Sequence, residues 1–201
     1  MLDGLQDVIL KEGFAHLTIG DLAARMHCSR RTLYEIAPSK QEIVLMILQR
    51  FFKQVQDAAH AAARNEDDPG RKIFQYMQAG VVAAMRMSPI VVADIDRWTP
   101  ASKVWQEHIR RRVAGLRELV QTGIDVGLFR GLHAHLVAEV MFASWLRIRE
   151  PDFYVRQNIS VADAFRELTK LLLHGLLHRG AEERPQRMRR ARLVEDSGVS
   201  L

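Results

Sequence analysis

Residues 13–43 read GFAHLTIGDLAARMHCSRRTLYEIAPSKQEI, and this stretch contains the signals of two short helices separated by a tight turn. Thr18-x-x-Asp21 has the spacing of a capping box, in which side chains bind the free N–H groups of a helix's first turn. We place the first helix from Thr18 to about Met26 and the second from its N-cap Ser29, with the turn between them. Two helices joined in this way predict a helix-turn-helix, whose second helix enters the major groove of DNA.

The second helix of this pair has its polar side chains on the side away from the core. Leu33 and Ile36 face inward at helical spacing, which leaves hydrogen-bond donors facing outward. Such donors bind base edges and phosphates, and an arginine that binds guanine with two hydrogen bonds contributes on the order of 1–3 kcal/mol of discrimination. The outward residues are Arg30, Arg31, Thr32 and Tyr34.

Positive charge is concentrated in the same stretch. Residues 24–40 carry four basic side chains against one acidic side chain, a net +3, whereas residues 1–23 carry one against four, a net −3. The whole chain has 29 Lys+Arg and 24 Asp+Glu, a formal net charge of +5. Residues 1–60 balance at seven basic and seven acidic groups, so the local excess, and not the total, favours a nucleic-acid partner.

Composition limits the class of protein. The 201 residues are 48% hydrophobic and 26% charged, as in folded globular chains. The single cysteine excludes an internal disulfide and a cysteine-rich metal site. No apolar run approaches the roughly 18 residues of a membrane span, and Asp3 and Asp7 interrupt the first residues where a signal peptide would be apolar. We therefore expect a cytoplasmic protein without a membrane segment.

Helical periodicity and helix-start signals continue along the rest of the chain. Proline follows a capping residue at Asp68-Pro69, Ser88-Pro89 and Thr99-Pro100, and alternating strand patterns are missing. We predict an all-α protein of about nine helices, in which a three-helix, helix-turn-helix DNA-binding head precedes a helical bundle. The predicted domains are residues 1–44 for the head, 45–180 for ligand binding and dimerisation, and 181–201 for a basic, flexible tail.

The stretch from Gly13 to Ile43 resembles the DNA-binding signature of the tetracycline-repressor (TetR) family. That signature has a glycine, a threonine that opens the second helix, Ile/Leu-Ala, a serine, Thr-Leu-Tyr and then Ser-Lys. Beyond this stretch only chain length and helix count agree with the family. The matching residues are Gly13, Thr18, Leu22, Ala23, Ser29, Thr32, Leu33, Tyr34, Ser39 and Lys40.

The resemblance implies a DNA contact for individual residues of the head. Thr18 would bind a phosphate with its hydroxyl and with the N-terminus of its helix, where free N–H groups attract anions. Tyr34 and Lys40 would also bind backbone phosphates. The residues that would lie along the major groove are Ser29, Arg30, Arg31 and Thr32.

Three features depart from the family pattern. Arg31 stands where glycine is common, which predicts an additional contact to DNA. Ile36 and Ala37 replace an aromatic pair, so we expect altered packing beneath the recognition helix. Met1 aligns with the start of the first helix, and the basic arm that often precedes it in the family is absent, so we expect weaker binding to the DNA backbone.

The bundle segment carries large apolar and aromatic side chains at helical spacing. Such residues belong either to a packed core or to the lining of a pocket, and the resemblance implies that these helices enclose a small-molecule effector. The effector would be apolar or aromatic, and its binding would change the spacing of two DNA-reading heads. The candidate lining residues are Met77, Val81, Met85, Trp98, Trp105, Ile109, Phe142 and Trp145.

The last two predicted helices, at about 133–149 and 160–179, carry apolar stripes that face either their own bundle or a second copy. The resemblance favours a homodimer, whose twofold interface would place two recognition helices about one DNA turn apart, as a palindromic operator requires. Gly175 would permit close helix approach. The candidate interface residues are Leu136, Val140, Leu168, Leu172, Gly175 and Leu176.

Metal binding and catalysis receive little support from the sequence. His133-x-His135 and the pair His174/His178 have spacings that metal sites use, but no carboxylate or thiolate completes either set. No nucleophile, base and orienting group occur together, so we expect no catalytic site, no metal and no cofactor. We interpret the chain as a repressor that binds double-stranded operator DNA and is released by its effector. The alternatives are a protein-interaction module that has lost DNA binding and a small all-α enzyme.

Overall fold

The computed structural model describes residues 1–148, 150, 153, 156 and 158–176, and the structural statements below concern these residues. This part of the chain is helical and contains no β-strand, which confirms the all-α prediction of about nine helices. The described helices are α1 (Leu2–Glu12), α2 (Ile19–Arg25), α3 (Arg30–Tyr34), α4 (Lys40–Arg64), α5 (Pro69–Ala84), α6 (Pro89–Arg97), α7 (Thr99–Asp125), α8 (Ala134–Ile148) and α9 (Val161–Leu176).

Local signals fix the start of α2 and the end of α1. The Thr18 hydroxyl accepts a hydrogen bond from the Asp21 N–H at 3.1 Å, and the Asp21 carboxylate accepts one from the Thr18 N–H at 2.7 Å, which confirms the capping box. Gly13 ends α1 at φ 80°, a conformation that strains residues with a side chain. A Cβ at Gly13 would also lie 2.6 Å from the Asp94 carboxylate. Backbone conformation and packing therefore both require glycine here.

One cluster of buried apolar side chains joins the three short helices to α4 and α6. Leu22 of α2 and Leu33 of α3 are fully buried in it, together with Ile43 and Ile47 of α4. Ile36 and Ala37, which replace the aromatic pair, are partly buried against the same cluster. Because Leu33 anchors the inner side of α3, the opposite side of this one-and-a-half-turn helix faces solvent.

Capping residues begin the helices that follow. The Asp68 side chain accepts a hydrogen bond from the N–H of the third residue of α5, and the Ser88 side chain does the same in α6. Each helix has proline as its first residue, as predicted. The prediction for Thr99 was wrong by one residue, because Thr99 lies inside α7 and the Trp98 carbonyl already accepts from the Ser102 N–H. No described helix is by itself long and apolar enough to cross a membrane, whereas α5 and α6 pass that test only together, across a 93° bend.

The chain divides into two compact units, residues 1–116 and the part from Arg117 onward. The first unit contains α1 to α6 and the beginning of α7. In the second unit, Gly127 has φ 70° after the end of α7, and Gly123 leaves room for the buried ring of Phe129. The predicted domain boundary after residue 44 stays a functional expectation, and the predicted tail at 181–201 lies outside the described residues.

Candidate nucleic-acid interface

The turn between α2 and α3 is closed by backbone hydrogen bonds. The Met26 N–H donates to the Leu22 carbonyl at 3.0 Å, and the Cys28 N–H donates to the Ala23 carbonyl at 3.0 Å. His27 adopts φ 50°, the left-handed conformation that reverses the chain between the two helices. The helix-turn-helix therefore has its turn at the predicted residues.

The solvent-facing side of α3 presents two arginines and a tyrosine. Arg30 and Arg31 are exposed, and Tyr34 is 49% exposed. The only ion pair that α3 forms among the described residues joins Arg31 Nε to Glu35 Oε1 at 3.5 Å, and such exposed pairs are weak. Both guanidinium groups are therefore accessible to a ligand such as DNA.

The other two residues predicted to lie along the groove have a structural role in the free protein. The Ser29 hydroxyl accepts a hydrogen bond from the Thr32 N–H at 3.1 Å and lies 2.9 Å from the Thr32 hydroxyl. Ser29 is thus the N-cap of α3, as predicted. Thr18 is likewise occupied, because its hydroxyl donates to the Asp21 carboxylate at 2.6 Å.

Gly20 lies against Arg30, one of the predicted DNA-binding residues, and sequence reasoning missed this contact. A Cβ at this position would lie 2.9 Å from Nη2 of Arg30, so the Arg30 side chain rests on the first turn of α2. Any side chain at Gly20 would displace the Arg30 guanidinium. No short-range signal separates this glycine from an ordinary surface position, since its contact comes from ten residues further along the chain.

Lys40, to which the resemblance assigns a phosphate contact, binds its own chain in the free protein. Its Nζ donates to the carbonyls of Phe14 at 2.8 Å, Ala15 at 3.4 Å and Leu17 at 2.5 Å. An ammonium group has three donors, and these three carbonyls occupy them. In this structure Lys40 therefore fixes the connection between α1 and α2 to the start of α4.

We expect Lys40→Met to lower the free energy of unfolding by about 1–3 kcal/mol, because three carbonyls of the α1–α2 connection lose a charged donor. Urea denaturation followed by circular dichroism measures the change. Lys53→Met on the same helix is the matched control, since Lys53 is exposed and pairs only with Asp57 among the described residues. Equal stability of the two variants would contradict the structural role of Lys40.

Asp94 of α6 holds the same connection from the other side. This carboxylate is only 6% exposed, and Oδ2 accepts hydrogen bonds from the N–H groups of Phe14 at 2.6 Å and Ala15 at 2.8 Å. The Ser88 N–H also donates to the Leu10 carbonyl at 2.9 Å, so the start of α6 is bonded to the end of α1. A lone acidic residue on the apolar side of a predicted helix was the signal that sequence reasoning overlooked.

The first unit contains a buried polar cluster between α5 and α7. Tyr76 Oη donates to the Arg112 carbonyl at 3.0 Å, and Arg112 Nη2 donates to the Tyr76 carbonyl at 2.8 Å. The Arg112 guanidinium lies 4.1 Å from the centre of the Tyr76 ring, and burial lowers its pKa. Burial also lowers the pKa of His108 to about 3, so its ring is neutral where it stacks on Phe52 at 4.6 Å.

The candidate effector-lining residues lie in different surroundings. Met77 and Val81 are buried in α5, and Trp105 lies 5.4 Å from Phe52 between ring centres. Met85, the C-cap residue that follows α5, is 77% exposed. Ile109 is half-buried, and the Trp98 ring lies 5.6 Å from the Phe14 ring between centres. Phe142 and Trp145 are buried in the second unit, with their ring centres 5.8 Å apart.

The candidate dimer residues differ in exposure. Leu136 and Val140 of α8 are 61% and 46% exposed, and a Cβ at Gly175 would meet nothing within 4 Å. Leu168 and Leu172 are half-buried. Leu176 is 4% exposed and is therefore already covered by its own chain, which argues against an interface role. Leu171, at 71% exposure, is an apolar surface residue that was not predicted.

Histidine and acidic residues do not assemble a metal site in the described part of the chain, where no group of three or more His, Cys, Asp or Glu has suitable geometry. His135 Nε2 lies 3.6 Å from Glu139, a pairing within α8. His178 lies outside the described residues.

Comparison with known proteins identifies the fold. No protein-family profile and no curated protein matches the chain. Among solved structures, it is similar to a protein from Saccharomonospora viridis described as a transcriptional regulator and solved with choline (TM-score 0.75, 18% identity, 89% of this chain and 96% of that chain). It is also similar to a TetR-family regulator from Agrobacterium tumefaciens (0.67, 17%, 88% and 95%) and to SmeT, the repressor of the Stenotrophomonas maltophilia multidrug efflux pump SmeDEF (0.68, 14%, 90% and 90%). As residues 13–43 predicted, this chain has the fold of the TetR-family transcriptional regulators.

Proposed function

We propose that this protein is a ligand-responsive transcriptional repressor that binds a palindromic DNA operator as a homodimer. The observation that carries the proposal is the outer side of α3, where Arg30 and Arg31 are exposed on a helix anchored from within by Leu33. A regulatory role is also what the similar structures have in common.

Each head would read DNA mainly through the two arginines. Arg30 and Arg31 provide bidentate donors that suit guanine or phosphate, while Tyr34 provides a hydroxyl for the backbone. The Ser29 and Thr32 hydroxyls contact each other. Each would therefore bind DNA only through the hydroxyl lone pairs or proton that this contact does not use. Thr18 would bring the first turn of α2 to a phosphate, and Lys40 would contribute by holding that turn in place.

The effector would be a small molecule with an apolar body, held in the bundle. Solved structures of this fold include one with choline, which is an example of a small molecule bound to a similar chain. Buried polar groups such as Tyr76 and Arg112 would supply the few polar contacts that orient a ligand in an apolar site. Binding of the effector would move α6, and α6 would move the head through the hydrogen bonds of Asp94 to the α1–α2 connection. By linkage, DNA must weaken effector binding by the same factor.

Leu136 and Val140 would lie in the dimer interface, since α8 exposes both side chains. We expect Leu136→Asp together with Val140→Asp to weaken dimerisation by at least about hundredfold, because two carboxylates per subunit would be buried without partners. Size-exclusion chromatography with light scattering measures the mass. Val82→Asp, at an exposed valine of α5, is the control and should leave the dimer intact. A dimeric double variant would place the interface elsewhere.

The direct test is an electrophoretic shift with the DNA that flanks the protein's own gene. Specific binding should fall steeply with salt, because basic groups that contact phosphates release counterions. Retention of a single palindromic fragment by the dimer supports the proposal. If no genomic fragment is retained, the chain is better interpreted as a protein-interaction module.

A further inference from the structure

A small cavity lies where the α1–α2 connection, the start of α4 and the end of α6 meet. Its volume is about 310 Å³, at the lower end of the range for small-molecule sites. The floor is buried and includes Phe14 and Val44, whereas Arg97 is exposed at the mouth. Trp98 forms one wall, with its ring edge-on to Phe14 at 5.6 Å between centres. Of the eight candidate effector-lining residues, Trp98 is the only one that lines this cavity.

The charged groups of the cavity differ in how far they are already engaged. Lys40 donates to three backbone carbonyls, and Oδ2 of Asp94 accepts two backbone N–H groups. Arg97 forms no ion pair with any residue that the structure describes. Two cations and one carboxylate leave the cavity with one net positive charge, and the accessible cation is Arg97.

We propose that this cavity binds a small aromatic carboxylate, with the ring against Trp98 and Phe14 and the carboxylate on the Arg97 guanidinium. Trp98 is half-buried and touches Phe14 edge to face at 5.6 Å, so the planar ring of the ligand would pack against Trp98 from the cavity side, next to Phe14. A guanidinium binds a carboxylate with two parallel hydrogen bonds. The ligand class is thus set by an apolar, aromatic interior and a single available cation at the opening.

An occupant of this cavity would touch the segment that positions the DNA-reading head. Lys40 and Asp94 hold residues 14–17 from two sides, and both side chains line the cavity. A ligand packed on Phe14 would stabilise one arrangement of this segment relative to α6. The binding itself does not depend on the proposed function, whereas any effect on DNA affinity rests on it.

The test uses the full chain with 3-phenylpropionate as the probe and 3-phenylpropionamide as its uncharged counterpart. The chain has three tryptophans, so two-dimensional ¹H–¹⁵N spectra contain three indole N–H signals, each assignable from a Trp→Phe variant. We expect the Trp98 signal to shift saturably with the acid, with the amide binding about tenfold more weakly. A shift centred on Trp105 or Trp145 would overturn the proposal, because neither tryptophan lines this cavity and the probe would then bind elsewhere.

Arg97→Gln should weaken binding of the acid about tenfold and leave binding of the amide within about twofold. Arg64→Gln is the matched control, since Arg64 is also an exposed helix arginine of the first unit and does not line the cavity. No saturable Trp98 shift, or equal binding of acid and amide to the wild-type chain, would overturn the proposal. These measurements contain no DNA, so failure of the proposed repressor function would leave their outcome unchanged.

Discussion

Replacement of Arg30 and Arg31 together by alanine should weaken operator binding by at least about hundredfold, because each arginine that binds guanine contributes on the order of 1–3 kcal/mol per head. The stability of the free protein should change little. Among the described residues, Arg31 pairs only with Glu35, the C-cap of α3, and Arg30 rests on the surface at Gly20. Fluorescence anisotropy with labelled operator and with a shuffled duplex measures the specific and nonspecific affinities separately.

Arg110→Ala together with Arg111→Ala is the matched control for this pair. It removes the same two charges from an exposed part of α7, where both arginines bind Glu107 at 2.6 and 2.8 Å. A general electrostatic effect would weaken both double variants equally on the shuffled duplex. Only the α3 variant should lose its preference for the operator. If it retains that preference, α3 is not the recognition helix.

Several helix starts, in the head and beyond it, were predictable because their causes are local. Thr18, Ser29, Asp68 and Ser88 each accept a hydrogen bond from the N–H three residues later, and that spacing is visible in the sequence. The predicted positions of helix ends were less accurate than those of helix starts. The helical spacing of Leu33 and Ile36 predicted that the second helix of the motif reaches Ile36, whereas α3 ends at Tyr34 and Ile36 packs against the core beyond that end.

Contacts between distant parts of the chain could not be predicted from spacing. Lys40 reaches carbonyls 23 to 26 residues earlier, and Asp94 accepts N–H groups 79 and 80 residues earlier. Lys40 matched a family position, and its implied contact was a phosphate. In the free protein its ammonium group binds backbone acceptors of its own chain, and the phosphate contact stays a prediction. Only the arrangement of α1, α4 and α6 in space brings these groups together.

Apolar periodicity also fails to separate pocket, core and interface positions. Met77 and Met85 are eight residues apart and share a face on a helical wheel, yet Met77 is 2% exposed and Met85 is 77% exposed. Met77 lies inside α5, whereas Met85 is its C-cap residue, one position past Ala84. Leu136 and Leu176 were assigned to the same interface, but only Leu136 is uncovered by its own chain.

Asp94→Ala should lower the free energy of unfolding by about 2–4 kcal/mol. The buried carboxylate accepts hydrogen bonds from the N–H groups of Phe14 and Ala15, and its removal leaves both donors without this charged acceptor. Asp96→Ala is the matched control, because Asp96 is an exposed residue of the same helix. Urea denaturation followed by circular dichroism compares the two variants. Unfolding curves with equal midpoints and equal slopes for the two variants would show that Asp94 does not stabilise the α1–α2 connection.

The same variant tests whether α6 restrains the head locally or only adds to global stability. If Asp94 is the link, amide hydrogen exchange in residues 13–17 should accelerate more than exchange in the buried part of α5, where Met77 lies. A purely global effect would accelerate the slowest amides of both segments by the same free energy. Local acceleration would identify the carboxylate as the connection through which a movement of α6 changes the position of α2 and α3. Uniform acceleration would leave the shared apolar core and the Ser88–Leu10 backbone hydrogen bond as the connections between α6 and α1.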